Sequence, residues 1–122
     1  MNKQQFFLMC LIEELTEAAK EFTKCVKFTP DHRYHGYEKN NIERAQFEVA
    51  DIYAVADILH EMGIETGFKV PLTMCPDMAF KFKEKRVRTL ESWDIAEELA
   101  ARETLRRLET KREAEAINAL DH

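Results

Sequence analysis

The chain has 122 residues, one domain's length, of which 45% are apolar and 34% charged, with only three Gly and three Pro. That mixture excludes collagen-like, low-complexity and disordered classes, and so few turn-formers count against an all-β sandwich. The net charge of −5 argues against dedicated nucleic-acid binding, because neutralising phosphates needs a basic face.

Cys10, Cys25 and Cys75 are odd in number and form no CxxC pair. They point away from a disulfide framework or zinc knuckle and fit a reducing cytoplasm. The apolar run Phe6 to Ile12 is too short to span a bilayer and meets Glu13 and Glu14 with no small-residue cleavage site. Neither a membrane span nor a secretory signal is expected.

A first helix is predicted over about Lys3 to Lys27. Leu8, Leu11, Leu15, Ala18, Phe22 and Val26 recur at spacings of three and four and form one apolar stripe. Turn-forming residues follow from Thr29 to Asn40. Within them, His32, Arg33, Tyr34, His35, Gly36 and Tyr37 form a loop of rings and donors able to stack on a base or bond its edge. A second helix is predicted over about Asn41 to Met62, with Asn40 or Asn41 as N-cap and Gly63 as its stop. Its stripe is Ile42, Ala45, Val49, Ile52, Ala56 and Leu59, a pattern suited to shallow-angle packing beside another helix. Turn residues return from Gly63 to Pro76. A third helix is expected from Pro76 or Asp77 to about Leu90, and a fourth from Ser92 to about Leu120. The last carries Ile95, Leu99, Leu105, Leu108, Ile117 and Leu120 among many charges. The expected fold is an all-α bundle of about four helices in a single domain, with residues 1–91 as core and 92–120 as an extended C-terminal helix. Phe28 and Trp93 read as core or interface residues.

The chemistry concentrates in acids. The first helix has Glu13, Glu14, Glu17 and Glu21; the second has Glu48 and Asp51. Residues three apart share a helical face, so Glu14 and Glu17 project together, as do Glu48 and Asp51. Each of these four directly precedes a stripe residue, so packing of the two stripes brings four carboxylates to one flank of the helix pair. An arbitrary glutamate pair is more often a solvated face with local cations. Glu17 has Lys20, Glu21 has Lys24 and Glu48 has Arg44, whereas Glu14 and Asp51 have no cation three or four residues away. Two carboxylates about 5 Å apart repel by roughly 3 kcal/mol at an effective dielectric near 20. A cluster of four therefore calls for a cation. Carboxylate oxygens suit Mg²⁺, with Mn²⁺ as an alternative, and Mg²⁺ takes its remaining ligands from water and substrate phosphates.

Glu13-Glu14-Leu15-Thr16-Glu17 reads as EExxE and Glu48-Val49-Ala50-Asp51 as ExxD, each on a helix. This pair resembles the MazG-like members of the all-α nucleoside triphosphate pyrophosphatase superfamily over about Glu13 to Arg88. The resemblance implies a homo-oligomer, dimer or tetramer, that hydrolyses a nucleoside triphosphate to the monophosphate and pyrophosphate with Mg²⁺. It implies Glu14, Glu17, Glu48 and Asp51 as metal ligands, with Glu13 as a weaker candidate for ligand or base. Lys81, Lys85 and Arg88 follow four and three apart on one helical face, matching a phosphate-holding pattern of that family. The gap between the acidic motifs, with its aromatic insert, and the long charged C-terminal helix depart from the pattern.

A di-iron bundle needs two ExxH-like motifs, and Asp57-Ile58-Leu59-His60 stands alone. P-loop and dinucleotide-binding glycine motifs are absent. Two other functions remain open on sequence: a non-enzymatic helical interaction module using Ser92 to Leu120, and hydrolysis of a modified nucleotide or an alarmone.

Overall fold

The computed structural model describes residues 1–120, and all regular secondary structure in that range is α-helix. Helix α1 spans Lys3–Phe28, α2 spans Asn41–Glu61 and α3 spans Pro76–Leu120. The chain divides into two compact units, Met1–Thr89 and a second that begins at Leu90.

Local chemistry sets the helix ends. Asn2 and Gln5 form a reciprocal capping box at the start of α1 (2.8 and 2.9 Å). Asn40 and Glu43 do the same for α2. The first N–H groups of α2 all find acceptors: Asn41 donates to His32 O, Ile42 to Pro30 O, Glu43 to Asn40 Oδ1 and Arg44 to Asn40 O. The 29–40 segment is thereby fastened to the N-terminus of α2. Asn41, fully buried, adds a side-chain bond to Thr29 O at 3.1 Å. Thr29 ends α1 at φ 78°, ψ 152°, a region that only glycine adopts without strain. At the end of α2, Gly63 sits at φ 82°, with its N–H on His60 O and the Ile64 N–H on Leu59 O. That is a Schellman stop, where the left-handed position requires glycine. His60 fastens the following turn through Thr66 Oγ1 at 2.8 Å.

The core of the first unit is built around α2. Ala45, Ala50, Ala54, Val55, Ala56 and Leu59 are fully buried, with Ile52 and Ile58 nearly so. Three consecutive buried residues, Ala54 to Ala56, cannot share one face, so this stretch is enclosed on all sides. Phe7, Leu11 and Ala18 cover it from α1.

The structure corrects three expectations. The helices predicted at Pro76 to Leu90 and Ser92 to Leu120 are one helix, so the described residues hold three helices rather than about four. Nothing between them stops a helix: no Gly or Pro lies between Asp77 and Leu120, and Ser92 is accommodated inside the helix. The buried face of α1 is Phe7, Leu11, Glu14 and Ala18: Leu11 and Ala18 of the predicted stripe are buried, but Phe7 and Glu14 take the places expected for Leu8 and Leu15. Leu8, Leu15 and Phe22 are 37–41% exposed and Val26 is 87% exposed. Of the two alternatives expected for Phe28, core or interface, the core one is corrected: Phe28 is about half exposed, with its ring against His32 and Tyr34.

In the second unit, α3 continues as a charged helix with Ile95, Leu99, Leu105, Leu108, Ile117 and Leu120 all exposed. Pairs such as Arg102 with Glu98 and Arg107 with Glu103 line its surface one turn apart. Among the described residues, no helix is long and apolar enough to cross a membrane.

Candidate metal centre

Packing of α1 on α2 sets three carboxylates together. Glu14 follows Phe7 and Leu11 on the buried face of α1. Glu48 and Asp51 are one turn apart on α2, just where that helix becomes enclosed. An oxygen from each of Glu14, Glu48 and Asp51 lies within 4.8 Å of the others. Glu14 and Asp51 are each only 6% exposed, while Glu48 is half-buried.

Two lysines from the first turns of α3 offset part of this charge. Lys81 Nζ stands 3.3 Å from Glu48 and 3.4 Å from Asp51, and donates to Phe47 O at 3.1 Å. Its ammonium also lies 4.3 Å from the centre of the Phe47 ring. Lys85 pairs with Glu14. Three carboxylates against two ammonium groups leave one net negative charge when all are ionised. Burial is the main reason that the Asp51 carboxyl is pushed up to about 6 from an ordinary 3.8. Lys81 pulls it back down, and Glu14 and Glu48 add to the rise. Asp51 Oδ1 is buried with no hydrogen-bond partner. An acceptor left in this state costs free energy, and a hard cation would satisfy it. Nearby, burial above all raises the Cys10 thiol, helped by the Glu13 carboxylate, which favours the protonated sulfur.

Of the residues expected from sequence, Glu14, Glu48, Asp51, Lys81 and Lys85 are brought together. Glu17 is not: its side chain is 55% exposed and pairs with Lys20 at 3.2 Å. Glu13 is also exposed, off the buried face. Arg88 lies outside the cluster, 59% exposed and 3.3 Å from Glu84 on its own helix. The lysines contact the carboxylates themselves, rather than facing them across an open gap.

Sequence reasoning missed Phe47, whose ring backs both Lys39 (4.8 Å) and Lys81. It also missed Arg44 as a bridge between Glu21 (3.6 Å) and the ring of Tyr37 (4.4 Å). The i,i+4 spacing of Arg44 to Glu48 hid that role, because it assigned the cation to the wrong acid. The loop rings pack on one another, His32 on Tyr34 at 5.2 Å and Tyr34 on Tyr37 at 5.9 Å.

The chain matches no protein-family model, no curated protein and no solved structure. The site is therefore read from its own geometry.

Proposed function

We propose that the chain is a Mg²⁺-dependent nucleoside triphosphate pyrophosphohydrolase of the MazG-like type, acting in the cytoplasm. The observation that carries this reading is the convergence of Glu14, Glu48 and Asp51 from two helices, with one Asp51 oxygen buried and unpartnered. An all-oxygen, acidic donor set fits Mg²⁺ or Mn²⁺ and does not favour softer metals. A divalent cation bound there would supply charge neutralisation on the phosphates and a more acidic water.

The chain's own groups would divide the remaining work. Glu14, Glu48 and Asp51 would hold the ion, with Glu17 and Glu13 one turn or less away on α1. Lys81 and Lys85, freed from carboxylates that the ion now satisfies, would turn to phosphate oxygens, with Arg88 one turn further along α3. Water would then cleave the anhydride between the α- and β-phosphates, giving a nucleoside monophosphate and pyrophosphate. A homo-oligomer, dimer or tetramer, is part of the proposal. Leu8, Ile12, Leu15 and Phe22 lie on one side of α1 and are 37–54% exposed, an apolar strip that a second copy would cover and so complete a bundle of four or more helices.

The test is a panel of ribo- and deoxynucleoside triphosphates with pyrophosphate detection, run with and without Mg²⁺. Alanine at Glu48 should abolish turnover and leave the circular dichroism of the helices unchanged. Normal hydrolysis by that variant would remove the site assignment. The panel extends to modified nucleotides and alarmones, which the same chemistry would accept.

A second reading is a non-enzymatic helical interaction module, favoured by the exposed apolar residues from Ile95 to Leu120. It predicts no Mg²⁺-dependent pyrophosphate release from any nucleotide.

A further inference from the structure

Beside the carboxylate cluster, the turn at Gly36 and the first half of α2 line an open cavity of about 380 Å³. Its walls include Tyr37, Glu38, Lys39, Arg44, Phe47 and Glu48. Glu48 belongs to both the cavity and the cluster. The size is that of a small-molecule site.

The walls select the ligand's chemistry. Both rings are already engaged by cations: the Arg44 guanidinium over Tyr37 at 4.4 Å, and the Lys39 and Lys81 ammonium groups by Phe47 at 4.8 and 4.3 Å. Faces covered in this way are poor platforms for a base, whereas the cations that they hold in place suit an anion. Lys39 also reaches Asp77 at 3.5 Å, and Arg44 Nε reaches Glu21 at 3.6 Å. Both are long ion pairs that a stronger acceptor can displace. Without a divalent ion, Lys39 and Arg44 are matched by Glu38 and Glu48, so the walls carry no net charge. An ion at Glu48 changes that balance and leaves the cavity positive.

We propose that this cavity is a polyphosphate subsite, in which Lys39 and Arg44 hold the terminal phosphates of a nucleoside triphosphate once a divalent cation sits against Glu48. The inference rests on the metal reading above for that cation, and goes beyond it in assigning the phosphate partners to the 36–39 turn and α2. Metal and polyphosphate binding are then coupled, each tightening the other.

The test uses the full chain and three probes at matched free Mn²⁺: inorganic tripolyphosphate, an α,β-methylene nucleoside triphosphate and a nucleoside monophosphate. Calorimetry reads anion binding, and electron paramagnetic resonance reads bound Mn²⁺ on the same samples. The wild type should bind the first two probes and hold the monophosphate far more weakly. Lys39→Gln and Arg44→Gln should each weaken tripolyphosphate about tenfold or more, the usual loss for a charge-assisted hydrogen bond. Glu38→Gln, which removes a like charge from the wall, should strengthen it, and Mn²⁺ should remain bound in every variant. Equal affinities across the three variants with Mn²⁺ bound would overturn the subsite and leave the metal reading standing. Tripolyphosphate binding equally tight without divalent ion, or binding of tripolyphosphate but not of the nucleotide analogue, would also overturn it. Absence of Mn²⁺ binding in the wild type would remove the metal reading and this inference together.

Discussion

Replacing Asp51 by Asn keeps the side chain's shape and removes its charge, so it isolates what ionisation costs the fold. Burial pushes this carboxyl up to about 6 from 3.8. At about 1.4 kcal/mol per pH unit, ionised Asp51 costs the native state about 3 kcal/mol, and solvent screening around half-buried Glu48 and Lys81 reduces this to about 2 kcal/mol. The sign follows from which state holds the proton more tightly. The folded protein does, so the cost is absent below about pH 4, accumulates between pH 4 and 6, and is complete above pH 6. In metal-free buffer, Asp51→Asn should therefore be the more stable protein at pH 7.5, by about 2 kcal/mol or roughly 6–10 °C in Tm. The two melting curves should converge near pH 4. Saturating Mg²⁺ should narrow the gap at pH 7.5 by stabilising only the wild type. Thermal unfolding followed by circular dichroism across pH 4–8 checks all three statements. A variant less stable than wild type at pH 7.5, by a margin that closes only below about pH 4 as the carboxyl takes up its proton, would show that the Lys81 ion pair outweighs desolvation and that the reasoning is wrong.

Two further predictions concern the fold. Leu59→Ala deletes a fully buried side chain at the centre of the core, and chemical denaturation should show a loss of about 3 kcal/mol. Thr29→Gly relieves a β-branched residue at φ 78° but gives up the Thr29 Oγ1 bond to Asp31 (2.9 Å). The same assay should show stabilisation of up to about 1 kcal/mol, and a loss instead would mean that the hydrogen bond outweighs the backbone strain. For the site, Glu14→Gln should abolish pyrophosphate release while the melting temperature stays within a few degrees of wild type, and retained turnover would remove Glu14 from the assignment.

The helix signals that proved readable are those with a local cause. Asn40 and Gly63 bound α2 because a side-chain acceptor and a left-handed backbone position are requirements of the chain's own neighbourhood. The face of α1 was not readable from apolarity alone. Its buried side carries Glu14 between Leu11 and Ala18, and a search for apolar residues prefers the adjoining Leu8, Leu15 and Phe22. That adjoining strip is the one that a second copy is proposed to cover. Glu14 and Asp51, which have no local cation, are buried and take their partners from α3, but Glu13 also has none and lies exposed, so that signal alone does not separate buried acids from surface ones. Glu17, with Lys20 one turn away, stays on the surface. The lysines' direct contact with the carboxylates depends on how the part of α3 up to Thr89 lies beside α1 and α2, which no spacing within a single helix encodes.

Whether Glu14, Glu48 and Asp51 form a divalent-ion site is tested most directly by a Mn²⁺ titration of the purified chain followed by electron paramagnetic resonance. Mn²⁺ binding should be saturable above pH 6, be displaced by Mg²⁺, weaken as Asp51 takes up its proton, and be lost in Asp51→Asn and Glu48→Ala. Wild-type spectra of free Mn²⁺ alone, or binding that both variants leave intact, would contradict such a site.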